Sequence, residues 1–286
     1  MRCIVQRYAI LGQKPVKVCT FCQKPLSLHE MKEAQTGSES MSIVLTDLSV
    51  GYGAGRRTAV VARGMNAVAA PGRLTCLLGR NGTGKSTLLR TIAGGLAPLS
   101  GAVTIGTISP AAMSRKERAR TIAVVATGRD VEPMLTVRQV VGLARTPYTG
   151  FLGRLTDRDN QIVAAALRSV GMPLFAERRF GELSDGEAQK VLIAKALAQR
   201  TPVVLMDEPT AFLDYPAKVE TFALMRRLAR AARLAVVVST HDIPIAADAA
   251  DELWTMSDGA LSVLRPGTDV ANEQLERLFS FTPKTT

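Results

Sequence analysis

The sequence predicts an α/β fold built on a mostly parallel core sheet, and three observations predict it. Short, uninterrupted apolar runs at Leu74–Leu78, Val203–Met206 and Ala235–Val238 have the length and continuity of strands covered on both faces. Segments with helical spacing lie between and after them, at Leu88–Ala93, Ala188–Gln199 and Lys218–Arg233. The first run passes directly into Gly79-Arg80-Asn81-Gly82-Thr83-Gly84-Lys85-Ser86-Thr87, which reads G-x-x-x-x-G-K-[ST]. Strand, glycine-rich loop and helix in that order form a phosphate-binding loop.

Composition frames the rest. A chain of 286 residues suits one large domain or two small ones, and 47% hydrophobic residues suffice for a full core. No run of 18 apolar residues is present, so no segment reads as a membrane-spanning helix. A net charge of +11 fits nucleic acid, an anionic surface or phosphate ligands without choosing among them. The four cysteines are too few and too unevenly placed for a disulfide framework, which points to a reducing cytosol.

Residues 1–40 differ from the remainder and hold Cys3, Cys19 and Cys22. Their polar end, Glu33–Ser40, reads as flexible, and Ile4–Leu11 is too interrupted for a secretory signal. Cys19-x-x-Cys22 with His29 is half of a zinc pattern, but the spacing of Cys3 completes no common one. The expectation is a leader without function, with Met41 as a plausible start of translation. From there Ser42–Val50 reads as a strand, Gly51–Gly55 as a turn and Val60–Val68 as a second strand. Tyr52, in that turn, is either a platform for a nucleotide base or an ordinary turn tyrosine.

The phosphate loop carries its own chemistry. Its glycines allow the backbone to curl so that successive N–H groups face an anion, and the following helix adds its positive end. Lys85 is placed to reach the β- and γ-phosphates, and the Ser86 hydroxyl to ligate Mg²⁺. The run Val203–Met206 ends in Asp207-Glu208, which puts two carboxylates at the C-terminal end of a parallel strand. Asp207 suits the metal, and Glu208 suits a base acting on an attacking water. Leu183-Ser184-Asp185-Gly186-Glu187 begins a helix and reads as a cap or as a second anion site. One chain cannot easily aim both anion sites at one phosphate, whereas two chains head to tail can. His241 follows the run Ala235–Thr240, again at a strand end.

In this order the pieces resemble the ATP-binding subunit of an ABC transporter, over about Ser42 to Val263. The resemblance implies a nucleoside triphosphatase with an antiparallel β-subdomain at the front and a helical subdomain near residues 136–195, both within a domain of residues 41–286. It implies that Tyr52 stacks on adenine and that Asn81 to Thr87 wrap the phosphates. It implies that Ser184, Gly186 and Glu187 meet the γ-phosphate of the ATP held by a second copy. Asp207 would serve the metal, Glu208 the water, Asp214 the dimer interface, and His241 the γ-phosphate and the water. Two positions depart from the family pattern. Asp185 stands where glycine is frequent, and Thr127 stands where the family has a glutamine that contacts Mg²⁺. A hydroxyl can still ligate the metal, directly or through water, so Thr127 joins Ser86 and Asp207 as a metal candidate.

The stretch Ala144-Arg145-Thr146-Pro147-Tyr148-Thr149-Gly150 is similar to a Gly-Arg-x-Pro-Tyr-x-Gly pattern of importers for iron chelates, haem and vitamin B12, with Ala144 in place of the first glycine. The resemblance therefore implies an ATPase, using ATP and Mg²⁺, that works as a head-to-tail dimer. It would sit on membrane permease subunits at the cytoplasmic face of the inner membrane and act indirectly with a substrate-binding protein. The alternative is a non-transport relative acting on nucleic acid or ribosomes. A single phosphate loop and the lack of a heptad run argue against that alternative, so no nucleic acid partner is expected.

Overall fold

The computed structural model describes residues 41–53, 58–126, 128, 131–150 and 153–279. Residues 1–40, with Cys3, Cys19, Cys22 and His29, and Thr127 lie outside the described residues.

Two sheets organise the chain. Strands β1 (Ile43–Tyr52), β2 (Ala59–Ala69) and β4 (Ser100–Ile105) form an antiparallel sheet in the order β2-β1-β4. Strands β3 (Leu74–Leu78), β5 (Ile122–Val125), β6 (Val203–Asp207), β7 (Ala235–Thr240), β8 (Glu252–Ser257) and β9 (Ala260–Leu264) form a second sheet in the order β5-β6-β7-β3-β8-β9. All its neighbours are parallel except the closing hairpin β8–β9. That hairpin turns on Asp258 and Gly259, with φ of 51° and 73°, the positive values that a two-residue turn matching strand twist requires.

The parallel strands are uninterrupted apolar runs because both of their faces are buried. Leu74, Cys76, Leu78, Val204, Met206, Val236 and Val238 face one core, and Leu77, Val203, Leu205, Val237 and Trp254 face the other. The second core lies between the two sheets and takes in Leu88, Leu89 and Ile92 of α1 (Lys85–Ile92). The first core joins the parallel sheet to the helices α3 (Val137–Gly142), α4 (Asp157–Ser169), α5 (Asp185–Ala198), α6 (Tyr215–Ala231) and α7 (Ile243–Ala249). A short helix α2 (Arg115–Thr121) precedes β5, and α8 (Asp269–Phe279) follows β9. Among the described residues, no helix is long and apolar enough to cross a membrane.

One local expectation is corrected. Gly51 and Tyr52 belong to β1, paired with Val60 and Ala59, and are not part of a turn. Glycine fits there for a packing reason: a Cβ on Gly51 would lie 2.1 Å from the carbonyl oxygen of Ala59. The bulges that interrupt the β1–β2 register near Leu48 and Val50 let the strand continue past the point where its alternation fades.

Parallel register sets the site. Leu78 pairs with Thr240 and Asp207 with Ser239, so β3, β6 and β7 end at one edge of the sheet. The residues that follow those ends, Gly79, Glu208 and His241, therefore open from neighbouring strands.

Candidate functional site

The phosphate loop is held open by conformations that only glycine adopts without strain. Gly82 has a φ of 82°, and Gly84, which precedes the first turn of α1, a φ of 101°. At Gly84 space is as restrictive as conformation, since a Cβ there would fall 2.2 Å from Val61 Cγ1. A Cβ on Gly79 would meet Thr83 Oγ1 at 2.6 Å and the Met256 carbonyl at 2.9 Å. No side chain caps the start of α1, so its first amides keep their capacity for an anion.

Lys85 is buried, and its ammonium lies inside the curve of the loop. Nζ donates to the carbonyls of Gly79 at 2.8 Å and Arg80 at 3.2 Å, and lies 3.4 Å from Glu208 Oε1. Glu208 turns its other oxygen, Oε2, toward His241 Nδ1 at 3.3 Å. Three groups read separately in the sequence thus form one line: Lys85, Glu208, His241. Glu208 holds this place with a φ of 44°, a left-handed backbone that costs a non-glycine residue roughly 1 kcal/mol or more.

Ser239 supports the strained turn and was not visible as a site residue in the sequence. Its hydroxyl accepts from the Glu208 amide at 2.9 Å and donates to Asp207 Oδ1 at 2.6 Å. One side chain therefore fixes the Asp207 carboxylate and the backbone of Glu208. The signal for it is the β6–β7 register, which the sequence does not display. The Ser86 hydroxyl, half-buried at the start of α1, and the Asp207 carboxylate are hard oxygen donors of the type Mg²⁺ takes. A neighbour that fixes Asp207, as Ser239 does, is the usual support for such a ligand.

Other expected site residues are placed differently. The Tyr52 hydroxyl lies 2.9 Å from Thr87 Oγ1, so its ring is tethered to α1 while 44% of the residue remains exposed. Thr87 is buried, and its hydroxyl meets Tyr52. Leu183 is buried ahead of α5. Ser184 caps that helix, accepting from the Glu187 amide, while the Glu187 carboxylate accepts from the amide and hydroxyl of Ser184 at 2.9 Å each. The Ser184 amide and hydroxyl hold the Glu187 carboxyl below the usual carboxylate range, against a burial that pushes it up. Asp185 is the first residue of α5, and Gly186 lies beside Ala217 of α6 at 4.0 Å from where its Cβ would be. Asp214 caps α6, accepting from the Ala217 amide at 3.0 Å.

The Arg-x-Pro-Tyr stretch forms a joint between helices. It makes a 3₁₀ turn at Leu143–Tyr148. Arg145, buried, donates to Asp159 Oδ1 of α4 at 2.9 Å and to the Ala198 carbonyl at the end of α5 at 2.8 Å. The Tyr148 hydroxyl donates to the Gln199 carbonyl at 2.9 Å. The guanidiniums of Arg145 and Arg120 lie 3.9 and 4.8 Å from its ring centroid. Gln199 continues the chain of contacts to the Ala119 and Ile122 carbonyls, where α2 gives way to β5.

The ABC transporter family model matches residues 62–211, just over half of the chain. An uncharacterised ABC transporter ATP-binding protein of Methanocaldococcus jannaschii is 44% identical over 207 residues, covering 72% of this chain and 70% of its own. The iron(3+)-hydroxamate import ATP-binding protein FhuC of Bacillus subtilis is 34% identical over 227 residues, covering 79% and 82%. The cobalamin import ATP-binding protein BtuD of Halobacterium salinarum is 42% identical over 204 residues, 69% of this chain; the match spans about half, 51%, of that relative. Among solved structures, the dimeric structure of a bacterial ABC transporter cassette superposes with a TM-score of 0.67 at 26% identity, covering 79% of this chain and 99% of that one. The chain therefore belongs to the family of ABC transporter ATP-binding proteins and is an ATPase of that family.

Proposed function

We propose that this chain is the ATP-hydrolysing subunit of an importer for an iron chelate, haem or cobalamin. Two copies close head to tail on two ATP molecules and drive a membrane permease from its cytoplasmic side, with a substrate-binding protein delivering the cargo. The observation that carries the hydrolytic part is the placement of Glu208 between Lys85 and His241 at the C-terminal edge of the parallel sheet. The relatives named for hydroxamate and cobalamin import support the cargo class.

Each residue's part follows from its surroundings. The amides at Gly79–Thr87 and the first turn of α1 bind the phosphates. Lys85, already desolvated, exchanges its carbonyl contacts for phosphate oxygens, an ammonium being a compact point charge on a flexible stem. Ser86 and Asp207 would hold Mg²⁺, which when bound neutralises phosphate charge. Glu208 takes the proton of the attacking water, and His241, close to its other oxygen, orients that water and the γ-phosphate. Ser184, Gly186 and Glu187 of one copy close over the phosphate held by the other, with Asp214 at their interface.

The test is phosphate release by the purified chain reconstituted with permease subunits of this importer class in lipid vesicles, and uptake of radiolabelled ferric hydroxamate, haemin and cobalamin. ATP-dependent uptake of one of them is expected. Hydrolysis stimulated by DNA or ribosomes and indifferent to the permease would overturn the transport reading. Within the site, Ser239→Ala should lower kcat about tenfold and raise the Mg²⁺ concentration needed for half-maximal rate, with nucleotide affinity nearly unchanged. A titration of hydrolysis against Mg²⁺ checks it.

A further inference from the structure

A second ion pair stands directly behind the strand-end histidine. Lys218, in the first turn of α6, reaches across to Asp242, the residue after His241. Its Nζ lies 3.1 Å from Asp242 Oδ1 and 3.0 Å from Oδ2, and both side chains are largely buried, 16% and 20% exposed. The position of Asp242 makes this pairing unusual. It is the N-cap residue of α7, a place where aspartate ordinarily accepts from the helix amides and stabilises the helix by about 1 kcal/mol. Asp242 makes no such bond. Its carboxylate is turned to Lys218 instead, while its own amide donates to Thr240 Oγ1 at 3.0 Å. A side chain that forgoes its local helix cap for a residue 24 positions away fixes the loop to α6 rather than the loop to its own helix.

The other end of the brace is equally defined. Lys218 donates its amide to the Asp214 carbonyl at 2.9 Å, the first bond of α6, and the Asp214 side chain caps the same turn. From Asp214 the contacts run through Lys218 to Asp242, by covalent linkage to His241, and on to Glu208 Oε2. We propose that Lys218 is a positioning residue for hydrolysis: it holds the His241 loop against the first turn of α6, so that the place of the histidine follows the place of the Asp214 cap. In a dimer whose interface includes Asp214, a partner that seats this turn also seats His241. The inference rests on the reading of His241 as the residue that orients water and γ-phosphate.

The test measures kcat and KM for ATP in Lys218→Met, Lys218→Arg, His241→Ala and the double variant His241→Ala/Lys218→Met. Methionine keeps the four-atom apolar stem of lysine and removes its ammonium group. Lys218→Met is expected to lower kcat about tenfold, the scale of a small misplacement of a catalytic group, with KM within about twofold of wild type. Lys218→Arg should restore most of the rate, since the cation can still reach the carboxylate. In the His241→Ala background the Lys218 change should cost nothing further, because the group it positions is gone. A kcat that stays at wild type in Lys218→Met, or that falls by the same factor with and without His241, overturns the proposal. If His241→Ala itself hydrolyses at the wild-type rate, the reading of His241 fails first. That result is distinct from one in which His241 matters and Lys218 does not.

Discussion

Glu208→Gln is expected to bind ATP with close to wild-type affinity and to lose hydrolysis by a factor of about 100 or more. The amide keeps the size and shape of the carboxyl but has no oxygen able to take a proton from water. The fold tolerates the change for reasons visible around the residue. The strained backbone turn depends on the Glu208 amide and Ser239, which the substitution leaves alone. Lys85 loses an ion-pair partner at 3.4 Å but keeps its two carbonyl acceptors at Gly79 and Arg80. A competing account makes Glu208 only a counter-ion that parks Lys85 within the loop. On that account the glutamine variant should bind ATP more tightly, the lysine having been freed, and turn it over normally. Nucleotide affinity and single-turnover rate, measured on the same preparation, separate the two. In the dimer of the proposed function, the variant should also accumulate as a closed pair with ATP retained, visible as a doubling of mass only when ATP is present.

The parts of the molecule legible in the sequence are those dictated by near neighbours. Leu74–Leu78 and Ala235–Thr240 read as strands over their full lengths because both faces are buried, and burial on both faces writes an unbroken apolar run. The phosphate loop was readable for a similar reason: its geometry needs glycine at set intervals, and Gly82 and Gly84 have the positive φ that the spacing implies. Edge and hairpin strands were harder. Strand β4, Ser100-Gly-Ala-Val-Thr-Ile, has one exposed face and a glycine whose φ of 72° breaks its pattern, and the β8–β9 hairpin reads as strand only after its Asp-Gly turn is recognised.

The site divides along the same line. Residues were nameable where a motif names them, but their mutual contacts depend on register between strands far apart in sequence. Ser239 is the clearest case: nothing near it distinguishes it from any serine at a strand end, and only pairing with Asp207 gives it that carboxylate and the Glu208 amide to hold. In the sequence Lys218 is one of several cations on an amphipathic helix, and only the fold sets the Asp242 side chain beside it. Tyr52 shows the reverse error. Glycines on both sides suggested a turn, whereas the ladder to Ala59 keeps it in a strand and delivers its hydroxyl to Thr87.

The second large effect is on stability. Arg145→Ala should cost about 3–5 kcal/mol in urea denaturation at neutral pH, because it removes one member of a buried ion pair. Arg145 and Asp159 have side chains only 6% and 8% exposed. Burial by itself pushes the Asp159 carboxyl up, but the hydrogen bonds from Thr156 and Arg145 outweigh it and hold the group below its ordinary value. A carboxyl depressed in the folded state adds stability above its unfolded pKa and loses it as pH falls through the folded one. Without Arg145 the burial and the two Thr156 hydrogen bonds remain while the guanidinium's bond and charge are gone, so the carboxyl rises from its depressed position. The ionised carboxyl then contributes less to folding in the variant than in the wild type, so the variant loses less stability on acidification. The gap between wild type and Arg145→Ala should therefore be full near pH 7 and narrow as pH falls below about 4. Arg145→Ala/Asp159→Ala should be more stable at pH 7 than Arg145→Ala alone, since no charge is left stranded. A gap that is the same at both pH values, with a double variant no better than the single, would assign the cost to lost packing of the guanidinium on the Tyr148 ring and to the vacated Ala198 carbonyl, not to charge.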